Sequence, residues 1–267
     1  MFASPLFAPL APWLARLGLD ADSRALTDLA RAAGVRTASG HPVVFVPPPD
    51  DGLGYEARIW QRGAVATRPG NRHDFFNALV WLAFPGAKAT LNARHMATMG
   101  APGAARGPGR DTLTHFDECG QVVVARDAPL LDLLRAFQWK ALFWSNRERL
   151  RQGLRFMVFG HATYEQLLAP FRGLTAKAIL VDVGDDWFRQ SPDAQRMAID
   201  RHLADTLTAG GYGHPRDLQP VPLLGIPGLT PENENENYYD DTGQFRPGRW
   251  TGKHSRSATK QIASPPD

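Results

Sequence analysis

The order of apolar and polar positions divides this chain into helical and extended segments before any motif is considered. In DADSRALTDLARAAG, Leu26, Leu29, Ala30 and Ala33 recur at helical spacing and Gly34 follows as a C-terminal cap, which predicts a first helix. The stretch NRHDFFNALVWLAF is apolar around most of its circumference. Phe75, Phe76, Leu79, Val80, Leu82, Ala83 and Phe84 leave a narrow arc, shared with Trp81, for His73, Asp74 and Asn77. A helix of that kind is largely buried. Pro85 and Gly86 break it, and AKATLNARHMATMG continues as a second helix. DAPLLDLLRAFQWKALFWSNRERLRQG predicts one long helix with Asp127 as its N-cap and Pro129 in its first turn. SPDAQRMAIDRHLADTLTAGG predicts a last helix, capped by Ser191 or Asp193 and stopped at Gly210 or Gly211.

Extended segments lie between these helices. PVVFVPPP is a short buried strand halted by prolines, and YEARIW, QRG and AVATR read as a hairpin. TLTHFDECGQVVVAR reads as a second hairpin, turning from Asp117 to Gly120. LRFMVFG, HATYEQLLAPF and GLTAKAILVDV read as strand, short helix and strand, the pattern of a βαβ unit. Together the segments predict a single α+β domain, with several helices packed on a small mixed sheet with hairpins. Residues 1–20 read as an N-terminal arm, 21–230 as the domain, 231–249 as an extended strap and 250–267 as a disordered basic tail.

Composition narrows the chemistry. A chain of 267 residues with 43% hydrophobic content can bury one substantial core. No apolar run reaches the roughly 20 residues of a spanning helix. The opening MFASPLFAPLAPWLARLGL has neither a basic start nor a small-residue cleavage pattern, so the expectation is a cytoplasmic protein with no membrane partner. Cys119 is the only cysteine, which excludes an intramolecular disulfide and a cysteine-built zinc site and leaves histidine, carboxylate and amide groups to hold any metal. The net charge is +3, but residues 246–267 carry +4 and the rest of the chain −1. A near-neutral body with a basic tail is weak evidence for a phosphate-binding domain, and the tail leaves nucleic acid open as a partner. PENENENYYDD, just before the tail, is acidic and of low complexity.

Candidate chemistry gathers in two places. His73 sits in the first turn of its helix, where the positive end of the helix dipole favours a neutral ring able to act as ligand or base. Asp74 and Asn77 are beside it, although Asn71 and Asp74 also have capping-box-like spacing, in which Asp74 would serve the backbone. His161 stands where a strand ends and a helix begins, a common location for catalytic groups, with Glu165 four residues on. There too a capping reading competes, through Thr163 and Gln166. Lys88, Asn92 and His95 share one face of the next helix, which reads as a site or as a solvated face. RDTLTHFDECG offers Asp111, His115, Asp117 and Glu118, but Asp and Gly flanking a hairpin are ordinary turn chemistry, and Asp117 reads as structural. The loop from Gly100 to Arg110 lacks the ending of a phosphate-binding loop, but Arg106 and Arg110 suit a lid over an anion.

Four motifs, TRPGNRHDFFNALVWLAFPGAKATLN, RDTLTHFDECG, FGHATYEQLLAPFRGLTAKA and YYDDTGQFRPGR, in this order resemble those of a known family. Over about Val43 to Arg249 the chain resembles the bacterial family designated domain of unknown function 3025. The resemblance implies a bacterial protein whose motifs belong to one domain, and it carries no activity to transfer. The residues themselves favour a metal-dependent hydrolase of an anionic, phosphoester-like small molecule. His73, Asp74 and His161 would be the ligands of zinc, manganese or iron, with Asn77 and Glu165 as further catalytic groups and Arg68, Arg72 and Arg110 holding the substrate. The alternative is a protein- or nucleic-acid-binding module, in which Trp139, Phe143, Arg147 and Arg151 form an aromatic and basic helix face. A ligand-binding protein without a metal is the third reading.

Overall fold

A computed structural model describes residues 4–18, 21–99 and 107–248. A 3-10 turn at Pro5–Leu10 runs into α1 (Ala11–Leu17) and α2 (Ser23–Ala32). Next come β1 (Val44–Val46), α3 (Tyr55–Arg62), β2 (Ala64–Ala66), α4 (Arg72–Ala83) and α5 (Pro85–Met99). The second half holds α6 (Pro108–Cys119), β3 (Gly120–Ala125), α7 (Ala128–Arg135), α8 (Arg147–Gly153) and β4 (Leu154–Val158). It continues with α9 (His161–Gln166), β5 (Thr175–Asp182), α10 (Asp185–Arg189), α11 (Pro192–Thr208) and β6 (Gln219–Pro222). The class is α+β: β1 and β2 form a parallel pair, and the larger sheet runs β4-β3-β5-β6 with only β3 and β5 parallel.

The core forms around α4, which is buried on every side from Asp74 to Ala83, as its unbroken apolar circumference requires. α5 starts inside the protein at Pro85, where its first N–H groups have no carbonyl to meet. Asp200 of α11 supplies the missing acceptors, taking the Gly86 and Ala87 N–H groups at 3.0 and 2.8 Å. Burial holds the Asp200 carboxyl above its usual range despite these two bonds.

Several segments differ from the sequence expectation. YEARIW is helix, not hairpin: Ile59 points inward, and the buried Arg58 is neutralised by Asp51 at 2.7 Å and bonded to the Leu53 carbonyl. TLTHFDEC is also helix, because Leu113 and Phe116 bury one face at three-residue spacing. The chain passes directly from α6 into β3 at Gly120, where a Cβ would run into the Phe116 carbonyl. The long helix expected from Asp127 to Gly153 is interrupted. Phe137 takes a left-handed backbone (φ 57°) and a π-turn occupies Ala141–Ser145. The βαβ unit is absent, since β4 pairs antiparallel with β3 at the sheet edge and is not a neighbour of β5.

Both ends of the described chain are built into the core. Leu6, Phe7 and Leu10, expected in an arm, are fully buried, and the Phe7 ring lies 5.5 Å from that of Tyr164. The strap expected at 231–249 is coiled into two 3-10 turns rather than extended. Its Asn233 side chain donates to the carbonyls of Leu224 and Ile226, and Tyr239 and Phe245 are buried. The basic tail expected from residue 250, Arg106 and most of the Gly-rich lid lie outside the described residues. Among the described residues no helix is long and apolar enough to cross a membrane.

Candidate metal centre

Three helix ends meet at one point. His73 lies in the first turn of α4, His161 opens α9, and Glu118 is the second-last residue of α6. Gly160 makes the meeting possible. Its backbone passes so close to α6 that a Cβ would collide with the Glu118 carbonyl and the Gly120 nitrogen, and its N–H donates to the Gly120 carbonyl at 2.8 Å. The imidazole of His161 is thereby carried against the last turn of α6.

The two rings face each other through Nε2, 3.0 Å apart, with their planes at 73°. Glu118 Oε2 is 3.4 Å from the His161 nitrogen and 3.8 Å from that of His73. The circle through these three atoms has a radius of about 2.0 Å, the bond length a divalent ion such as zinc makes to imidazole nitrogen or carboxylate oxygen. These residues form a group that fits a metal ion among the described residues. His161 is the floor of the centre, its side chain 5% exposed, whereas His73 and Glu118 are 34% and 39% exposed and leave one side open to solvent.

The outward-facing nitrogens favour the same assignment. Metal-bound histidines commonly give the second ring N–H to a carboxylate, which fixes the tautomer. His73 Nδ1 is 3.2 Å from Glu165 Oε2, and His161 Nδ1 faces Asp117 Oδ2 at 3.9 Å. Burial pushes His161 down to about 4, so the ring is neutral and its nitrogen free to ligate at neutral pH. Burial also raises the Glu118 carboxyl, an effect that the nearby His73 opposes.

Behind the centre lies a polar network built on the buried Lys88 and Asn77. The Lys88 ammonium, 4% exposed, donates to Asp117 Oδ1 at 2.5 Å and to Asn77 Oδ1 at 2.9 Å. Asn77 in turn donates to the Tyr55 hydroxyl at 2.7 Å. Burial opposes ionisation of Asp117, but Lys88 and His161 outweigh it and hold the carboxyl below its usual range. The adjoining cavity, lined by Tyr55, Glu56, Lys88, Asn92, His95 and Asp117, has a volume of about 10 Å³. That is room for one water and not for a substrate.

The expected site residues separate accordingly. His73, His161 and Glu165 come together. Asp74 is not among the grouped donors: its carboxylate accepts from the Arg68 backbone N–H at 2.8 Å and from the Arg68 guanidinium at 2.8 and 2.9 Å, which also commits Arg68. Asn77 belongs to the lysine network. Arg72 is exposed beside His73, and Arg110 acts on the charges of Glu56 and His95. Lys88, Asn92 and His95 are buried rather than solvated. The sequence reading missed Glu118 as a candidate ligand. The adjacent acids at the end of an amphipathic helix were the available signal, obscured by the hairpin reading of that segment. The aromatic face is corrected as well: Trp139 and Phe143 are buried, Trp139 bonds the Arg246 carbonyl, and Arg147 holds Asn233 and Glu234 of the C-terminal segment.

Fold and site thus define an α+β protein with a candidate two-histidine, one-carboxylate metal centre. The chain belongs to the family described as protein of unknown function (DUF3025), whose model matches residues 44–249. No curated protein and no solved structure matches it. All three candidate ligands, together with Glu165, Asp117 and Lys88, fall within the matched span.

Proposed function

We propose that this protein is a divalent-metal-dependent hydrolase, with His73 Nε2, His161 Nε2 and Glu118 as the ligands and an anionic, phosphoester-like substrate. The observation that carries the reading is the fit of these three donor atoms to a single ion with one side left open. A bound divalent ion supplies Lewis-acid polarisation and lowers the pKa of a water at the open position. Glu165 holds the His73 ring in the tautomer that presents Nε2. Arg72, exposed in the same helical turn and in no ion pair among the described residues, supports an anionic substrate.

The test is turnover of p-nitrophenyl phosphate and bis-p-nitrophenyl phosphate by protein loaded separately with zinc, manganese and iron. Metal-dependent hydrolysis that Glu118→Ala lowers by at least about 100-fold supports the reading. Metal-loaded protein that hydrolyses neither ester overturns it. The donor set also supports a second reading, since two histidines and one carboxylate with open positions hold ferrous iron in oxygenases. Selective retention of iron over zinc, with oxygen consumption, would favour that chemistry.

A further inference from the structure

We propose that the pair formed by the buried Lys88 and the largely covered Asp117 is the positioning device of the centre, an outer-shell clamp that fixes His161 as a ligand through its second ring nitrogen. The proposal rests on the metal reading of His73, Glu118 and His161. His161 Nδ1 is buried and makes no well-formed hydrogen bond, only a weak approach to the Asp117 backbone carbonyl, a costly state for a ring nitrogen in the interior. The facing carboxylate oxygen is Asp117 Oδ2, at 3.9 Å. With Nε2 given to a metal, the proton must sit on Nδ1, and a small closure of the ring toward Asp117 completes the carboxylate–histidine pair. The last turn of α6 then grips His161 on both sides, with Glu118 at Nε2 and Asp117 at Nδ1.

Lys88 explains why Asp117 stays in place. Its ammonium binds the other carboxylate oxygen, is bonded in turn to Asn77, and lies 5.6 Å from the centre of the Trp81 ring. Burying an ion pair of this kind gives little net stability, because both charges lose their hydration, so stability alone gives little reason to place it here. Orientation of a metal ligand gives a reason. The two outer carboxylates are unequal: Glu165 is 43% exposed and can be replaced by water, whereas Asp117 is 20% exposed and held by Lys88. Loss of Asp117 therefore weakens metal binding more than loss of Glu165.

The experiment is titration of the full-length chain with cobalt(II), reading the dissociation constant and the visible d–d absorption of the wild type, Asp117→Asn, Lys88→Met, Lys88→Arg and Glu165→Gln. Thermal melting of each metal-free variant is measured alongside. The expected result is an affinity loss of about 10- to 100-fold with an altered spectrum for Asp117→Asn and Lys88→Met. Lys88→Arg is expected to restore part of the loss, and Glu165→Gln to lose less than Asp117→Asn. If either single variant fails to fold, the double variant Lys88→Met/Asp117→Asn, which leaves no unpaired charge, replaces it and is expected to show the same loss. Wild-type affinity and spectrum in the neutral variants overturns the clamp while the metal reading stands. A wild type that takes up no cobalt overturns both.

Discussion

Asp74 and Glu118 carry the sharpest contrast at the scale of single residues. Asp74 stands next to His73 in the chain, yet it is spent on locking Arg68 and the loop before α4. Asp74→Ala is therefore expected to lower stability by about 1.5–3 kcal/mol, the order of a hydrogen bond to a charged group, and to leave metal affinity unchanged. Glu118→Gln is expected to do the reverse, losing affinity with little change in the melting temperature of the metal-free protein. Calorimetric titration and thermal melting of the two variants check both statements. Acidity gives a second residue-scale prediction. The folded pKa of His161, about 4, lies below its ordinary value of 6.5, so the unfolded chain binds the proton more readily. Stability of the metal-free protein is then complete above about pH 6.5 and is lost as pH falls toward 4, by up to about 3 kcal/mol from this group. Melting temperatures between pH 7 and pH 4.5 should show the decline, and His161→Gln should flatten it. His95, also held low by burial, acts in the same direction.

Among the elements, the junctions decide whether the centre exists. Gly160 lets α9 begin against the end of α6, and a methyl group there has no room beside the Glu118, Cys119 and Gly120 backbone. Gly160→Ala is expected to cost about 3 kcal/mol or more and to weaken metal binding as His161 is displaced, measured by urea unfolding and cobalt titration. These junctions also show what can be read from the chain beforehand. The buried helix α4, its break at Pro85 and the separation of α5 follow from composition and local sterics, and the sequence reads them correctly. His73 and His161 stood out because each is a polar ring at the start of a helix. Glu118 did not, because Thr, Asp and Gly residues suit a hairpin as well as the amphipathic helix that tertiary burial of Leu113 and Phe116 selects. Sheet order was equally hidden. A six-residue α9 gives no sign that β4 turns back to pair with β3, since pairing depends on partners distant in sequence. Asp200 was invisible as a cap for the same reason, lying more than a hundred residues from the helix it serves.

For the whole molecule, the site depends on segments that touch none of its ligands. The N-terminal turn lies before residue 44, where the family match begins, yet Phe7 packs against Phe76 of α4 and Tyr164 of α9, the two helices that carry the histidines. Phe7→Ala is expected to destabilise the fold by about 3–5 kcal/mol, measured by urea unfolding, while metal still binds to the fraction that remains folded. The central claim is that His73, Glu118 and His161 hold one metal ion. Its most direct test is elemental analysis of tag-free protein, purified without added metal or chelator, beside His73→Ala, Glu118→Ala, His161→Ala and Asp74→Ala. The account predicts close to one equivalent of zinc, manganese or iron in the native protein and in Asp74→Ala, with background levels in the other three. No metal in the native protein and none taken up on titration, or metal that survives Glu118→Ala and is lost in Asp74→Ala, would contradict it.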